Sequence, residues 1–162
     1  MEQYVSEILE VVNREDYVVT TGNGFVDSML CYKLNFAAKK GIQVCHTVTA
    51  GLEGINNVDC CNLIGNLIDN AVEASLKLPA ERRKLELFIK GDPHKLLIQV
   101  KNALAASVLD TNSDLLTQKE DKDVHGYGIR IIRRIASQYN GCVRFSEENG
   151  CFCAEVMLFR NT

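Results

Sequence analysis

Residues 57–78 read Asn57-Val-Asp59-Cys-Cys-Asn62-Leu-Ile-Gly-Asn66-Leu-Ile-Asp69-Asn70-Ala-Val-Glu73-Ala-Ser75-Leu-Lys77-Leu78, and Pro79 follows. The spacing predicts a long helix that stops before the proline, because the residue preceding Pro is biased away from helical backbone. At ~100° per residue, Asp59, Asn62, Asn66, Asp69, Asn70, Glu73 and Lys77 gather within one arc of about 100°. Leu63, Ile64, Leu67, Ile68, Ala71, Ala74 and Leu78 fill the rest of the wheel, so roughly two-thirds of this helix can be buried. The polar stripe is then expected to be sunk in a groove. A solvated helix face is the simpler reading of most such stripes, but it favours Glu, Lys, Gln and Arg; Asn is a poorer helix former because its short amide competes for the backbone. Three Asn at i, i+4 and i+8 therefore call for a ligand. A carboxamide oxygen suits a hard cation such as Mg²⁺, which prefers oxygen and commonly bridges to substrate phosphates. Asn62, Asn66 and Asn70 read as neutral groups aimed at a metal-bound polyphosphate.

Working outward, Phe25, Val26, Met29, Leu30, Tyr32 and Phe36 predict an earlier helix ended by Gly41, and Ile42–Thr49 predicts a strand. After the long helix, Leu85–Lys90 and Lys95–Val100 flank the turn Gly91-Asp92-Pro93 and should pair as a hairpin. Residues 102–125 form a predominantly polar connection of 24 residues, longer than most in compact domains and of the kind that builds lids. Helical spacing resumes from Gly126 to Tyr139 and ends at Asn140-Gly141. Cys142–Ser146 and Phe152–Phe159, joined by Glu147-Glu148-Asn149-Gly150, complete a second hairpin. Hairpins outnumber crossovers, which argues against a doubly wound parallel sheet. The order predicts an α+β two-layer sandwich: a mixed, mainly antiparallel sheet covered on one face by three helices.

The chain has 162 residues, the size of one compact domain; 46% are apolar and 24% charged, as in ordinary globular proteins. A net charge of −3 lacks the basic excess of a nucleic-acid binder. No apolar run is long enough to span a membrane and the first residues lack the pattern of a signal peptide, so the chain is expected to be soluble and intracellular. The seven cysteines fall inside apolar segments, which predicts buried free thiols rather than a disulfide framework; neither Cys60-Cys61 nor Cys151-Phe-Cys153 has the spacing of a structural zinc site.

A second feature is His125-Gly126-Tyr127-Gly128-Ile129-Arg130, between the polar connection and a helix. Helix N-termini offer unpaired N–H groups and the positive end of the helix dipole, and glycine lets an anion approach the backbone closely. The simpler reading is a turn that needs flexible backbone. As an anion site, it would recruit Arg130 and His125, while Thr117 and Lys119 in the connection could close over the ligand.

The run from Asn62 to Ser75, followed some 50 residues later by His125–Arg130, resembles the N box and second glycine box of the GHKL ATPase superfamily shared by gyrase and the sensor histidine kinases. Thr21-Gly-Asn-Gly-Phe-Val-Asp27-Ser-Met-Leu-Cys-Tyr-Lys33 and Lys101-Asn102 extend the resemblance to roughly residues 17–160, most similar to the catalytic domains of the accessory-gene-regulator (peptide quorum-sensing) type. The resemblance implies a Bergerat-type ATP-binding fold over residues 14–162, with an ATP lid at about 102–125. Residues 1–13 resemble the end of a preceding dimerisation and phosphoacceptor hairpin.

By the same resemblance, Asn66 and Asn70 take catalytic positions, with Asn70 matching the Mg²⁺-binding Asn. Glu73, Asn102, Thr117, Lys119, His125, Gly126, Tyr127, Gly128, Ile129 and Arg130 would line the ATP site. Asn66 stands where gyrase-like hydrolases carry a catalytic Glu, and an amide cannot serve as a general base at neutral pH. The Asp-x-Gly-x-Gly that contacts adenine in most relatives is replaced by Lys101-Asn102-Ala103-Leu104; an Asn can pair with adenine in the geometry it uses elsewhere.

The implied activity is that of a histidine kinase domain, binding ATP and Mg²⁺ and donating the γ-phosphate to a histidine on a separate hairpin, with a response regulator downstream. None of His46, His94 or His125 matches the accepting histidine, so the fragment is expected to be a monomer unable to autophosphorylate. The full-length protein is expected to be a membrane-anchored bacterial homodimer with this domain in the cytoplasm. The alternatives are a degenerate nucleotide-binding or docking module without phosphotransfer, and a stand-alone ATPase using Glu73 or Asp69.

Overall fold

A computed structural model describes residues 16–110 and 125–160, with residues 125 and 126 described by their backbone alone. Three helices, α1 (Gly24–Lys39), α2 (Asn57–Leu76) and α3 (His125–Gln138), lie on a sheet of five strands: β1 (Gln43–Val48), β2 (Lys84–Gly91), β3 (Lys95–Ala103), β4 (Cys142–Glu148) and β5 (Cys151–Phe159). The spatial order is β1-β2-β3-β5-β4. Only β1 and β2 are parallel, joined by the α2 crossover that a parallel pair requires; the other neighbours are antiparallel. The two-layer α+β sandwich expected from the sequence is the observed fold.

Period-two alternation decides which face of the sheet meets the helices. Leu85, Leu87 and Ile89 of β2, Leu96, Ile98 and Val100 of β3, and Val156 and Leu158 of β5 are almost fully buried. Against them pack Leu30 and Leu34 of α1, Leu63, Ile64 and Ile68 of α2, and Ile132 and Ile135 of α3. The opposite face is half-exposed and carries polar contacts: Gln99 donates to Glu155 (2.6 Å), which also pairs with Arg144 (2.6 Å), and Lys90 and Lys101 lie over the Phe88 ring.

The helix ends follow local chemistry. The Asn23 side chain accepts from the N–H groups of Phe25 and Val26, and the Asn56 side chain accepts from that of Val58, each satisfying donors that a helix start leaves open. At the end of α3, Asn140 adopts a left-handed φ of 51°. Gly141 then passes so close to β5 that a Cβ would overlap the Met157 carbonyl.

Strand ends shift by one to three residues from the sequence reading, and three further differences bear on the helices and the site. α2 ends at Leu76, slightly short of Pro79, and a short 3₁₀ turn, Ala80–Arg82, leads into β2. α3 already includes His125, the first residue described after position 110. Asn102, expected at the start of the polar connection, lies inside β3, opposite Leu85 and Phe152. The expectations for residues 1–13 and for most of the lid, Thr117 and Lys119 included, lie outside the described residues. The cysteines are all free, as expected, but only Cys60 and Cys153 are buried, while Cys45 and Cys142 are exposed. Position in an apolar segment is not enough to bury a strand residue, because alternate residues face outward.

Candidate functional site

The α2 stripe is graded rather than uniformly recessed. Asn62 and Asp69 are exposed, whereas Asn66, Asn70 and Glu73 are half-buried where α3 crosses. The Asn66 amide N–H donates back to the Asn62 carbonyl (2.6 Å), which leaves its Oδ1 facing the first turn of α3. The residue that meets it there is Gly128, itself buried. A Cβ at position 128 would lie 3.0 Å from Asn66 Oδ1 and 3.5 Å from Asn70 Oδ1. Two carboxamide oxygens, one helical turn apart, therefore converge on a glycine at the start of another helix, and only hydrogen at that position gives them full room. These are neutral, hard oxygen donors beside a helix N-terminus, a set suited to a hard cation that already carries phosphate oxygens. Among the described residues no three His, Cys, Asp or Glu side chains are grouped to hold a metal by themselves.

The other expected contributors are placed as follows. Tyr127 and Arg130 are exposed on α3, Ile129 packs against the core, and His125 and Gly126 form the helix's first residues. Asn102 points into the helix-covered side of the sheet, 4% exposed, and its amide donates to the Ala103 carbonyl (3.0 Å). Thr117 and Lys119 lie outside the described residues, as does the side chain of His125.

Contacts that sequence inspection missed fix the two site helices in place. The Tyr139 hydroxyl, just past the end of α3, accepts from the Asn56 N–H (2.9 Å) and donates to Asp59 Oδ2 (2.8 Å) at the start of α2. Burial is the main influence raising the Tyr139 pKa, with Asp59 adding to it, so the phenol stays protonated and keeps donating. On the other flank, Lys33 of α1 forms an ion pair with Asp69 (2.6 Å), its stem passing over Gly65. Asp69 is thereby held toward α1. The only sequence hint of the first contact was a tyrosine at a core position, since a buried phenol needs a partner.

The start of the polar connection is anchored too. Glu147 of β4 accepts from the N–H groups of Val108 (2.7 Å) and Leu109 (3.0 Å), while the Leu104 N–H donates to the Gly150 carbonyl (2.8 Å). A hydrogen bond from Ser107, followed by these backbone bonds, holds the Glu147 carboxyl below its ordinary pKa. The Cys60 thiol lies near the site but is inert: burial above all, helped by Cys61 and Asp59, pushes its pKa up to about 12.

A family model for the GHKL domain matches residues 55–159, from the loop before α2 to the end of β5. The chain belongs to the GHKL domain family. This GHKL domain is 24% identical over 103 residues to the sensor histidine kinase DpiB of Escherichia coli (strain K12), a match covering 60% of the chain and 19% of that protein. It is 28% identical over 89 residues to the sensor histidine kinase CitA of Klebsiella pneumoniae, covering 51% of the chain and 16% of CitA. The chain thus spans less than a fifth of the length of these curated relatives. Its fold is that of solved histidine kinase catalytic domains. The nucleotide-free catalytic domain of ThkA superposes with a TM-score of 0.69 at 15% identity, covering 88% of this chain and 96% of that one. Full-length ShkA in complex with AMPPNP gives 0.66 at 18% identity, covering 90% and 31%.

Proposed function

We propose that this domain binds ATP as its Mg²⁺ complex and presents the γ-phosphate to a histidine on a separate helical hairpin, as the catalytic domain of a sensor histidine kinase. The observation that carries the reading is the convergence of Asn66 and Asn70 Oδ1 on Gly128 at the start of α3. Family membership and the kinases among its relatives support it. When bound, Mg²⁺ would bridge phosphate oxygens and neutralise charge during transfer. Asn70 would hold the cation through its amide oxygen, and Asn66 would orient the same cluster from one turn earlier.

The N–H groups of the first turn of α3, His125 to Gly128, and the exposed Arg130 guanidinium would receive the phosphates, while Glu73 and Tyr127 border them. Asn102 would recognise adenine from the end of β3. Thr117 and Lys119 would close over the nucleotide. Asn66 cannot take a proton from water, and the Asp69 carboxylate is engaged by Lys33, so slow hydrolysis and efficient transfer are expected together.

The resemblance of residues 21–33 is the ground for proposing the accessory-gene-regulator type. By the resemblance to sensor histidine kinases, the whole protein would be a membrane-anchored homodimer with this domain in the cytoplasm, passing phosphate on to a response regulator. Among the described residues no helix is long and apolar enough to cross a membrane. The test is transfer of labelled phosphate from ATP to a supplied hairpin bearing the accepting histidine. Mg²⁺-dependent labelling, lost in Asn70→Ala, supports the reading; ATP binding without any labelling supports a docking module instead.

A further inference from the structure

The polar stripe of α2 carries three carboxylates among its amides, Asp59, Asp69 and Glu73, and Asp69 is the one placed to disturb Asn66. It follows Asn66 by three residues, so the two side chains are neighbours on the helix surface. A helical side chain leans back over the turn N-terminal to its own Cα, which aims an unrestrained Asp69 toward Asn66. Asp59 lies two turns earlier and accepts from the Tyr139 hydroxyl (2.8 Å), and Glu73 is half-buried one turn later, beside Asn70.

Lys33 of α1 opposes that lean. Its Nζ lies 2.6 Å from Asp69 Oδ1, so the pair crosses from one helix to the other. The crossing depends on the buried Gly65: a Cβ there would lie 3.3 Å from Lys33 Cε and 4.0 Å from Met29 Sδ, so the lysine stem occupies room that a larger residue would take. The Lys33 side chain is 23% exposed and that of Asp69 62%. An ion pair at such exposure adds little to stability, so its main effect is on the groove rather than on the fold. Asp69 is thus a negative charge one helical turn from an amide oxygen of the site, with a cation set against it from the neighbouring helix.

We propose that Lys33 is a positioning residue that decides the fate of the γ-phosphate: by holding Asp69 toward α1, it keeps a carboxylate away from the triphosphate and from a water that could attack it. The inference rests on the nucleotide reading given above. Without the ammonium, Asp69 turns back toward Asn66, where its carboxylate takes a proton from water as the water oxygen bonds to the γ-phosphorus. The bond from that phosphorus to the bridging oxygen breaks, ADP leaves with the electron pair, and inorganic phosphate is the second product. With Lys33 in place, Asp69 is withheld from this step and the phosphoryl group stays available to a histidine.

The test compares the native chain with Lys33→Met and with Lys33→Met/Asp69→Asn, in the absence of any hairpin. Met keeps an unbranched stem over Gly65 and removes the charge. At saturating Mg²⁺-ATP, phosphate release should rise about tenfold in Lys33→Met, below the ~10²–10⁴ of a well-placed base because Asp69 is offset from Asn66 by about 60° around the helix. ATP affinity, measured by isothermal titration, should fall several-fold in the same variant, because a bare carboxylate then faces the triphosphate. Adding Asp69→Asn should reverse both changes, a pattern that loss of a merely structural contact would not produce. Lys33→Arg, which retains a cation, should show neither. With the native chain binding Mg²⁺-ATP, an unchanged rate in Lys33→Met would overturn the proposal. So would a raised rate that persists in the double variant, or one that Glu73→Gln abolishes in place of Asp69→Asn. Failure of the native chain to bind Mg²⁺-ATP would instead remove the nucleotide reading itself, and this inference with it.

Discussion

At the scale of single residues, the site depends on what position 128 lacks. A Cβ there would press on Asn66 Oδ1 at 3.0 Å, and the softest response is rotation of the Asn66 amide away from its bond to Asn62. Gly128→Ala is therefore expected to leave Tm almost unchanged while weakening ATP binding by about tenfold, roughly 1.4 kcal/mol. Calorimetric titration and a thermal melt of the same sample separate the two effects. Tyr139→Phe should behave in the opposite way. Losing the hydroxyl leaves the Asn56 N–H and the Asp59 carboxylate without that partner, a cost of about 1–3 kcal/mol, visible as a Tm lower by several degrees. The amide stripe itself was legible in the sequence because three Asn at helical spacing contradict both propensity and solvation. Its partner contacts were not: Lys33 and Asp69 lie 36 residues apart, and Tyr139 and Asp59 lie 80 apart, so only the fold brings them together.

At the scale of elements, α2 was read from the period of its apolar residues, and the hairpin of β2 and β3 from Gly91-Asp92-Pro93, because these signals are local. The pairing of β3 with β5 is not local. It lets β3 run on through Asn102 and Ala103, residues whose polarity and small size suggested a loop, because the β5 partners Phe152 and Cys151 satisfy their backbone. The anchor of the polar connection makes an element-scale prediction. The Glu147 carboxyl has a lower pKa in the folded chain than when unfolded, so its contribution is fully present above the ordinary carboxylate range and is lost as pH falls through the depressed folded value. Acidification from neutral to below about pH 4 should release the Val108 and Leu109 amides. Their hydrogen exchange, corrected for intrinsic pH dependence, should rise relative to amides of β3. Equal protection at both pH values would show that the anchor is unimportant. Asp92 accepts from the N–H groups of His94 and Lys95 at the hairpin turn and has a depressed pKa, so it should follow the same direction.

At the scale of the whole molecule, the sheet is a platform on which α2 and α3 are set side by side. Their crossing places two amide oxygens against a helix start, Tyr139 locks one end of that crossing, and the Lys33 pair ties the stripe helix to α1. The central claim is that this crossing seats a magnesium-chelated nucleotide. Isothermal titration of the chain with ATP, with and without Mg²⁺, in parallel with Asn70→Ala, tests it most directly. Saturable binding that requires the cation and disappears in the variant is the predicted result. Absence of binding heat in the native chain, or equal affinity in Asn70→Ala and without the cation, would contradict it.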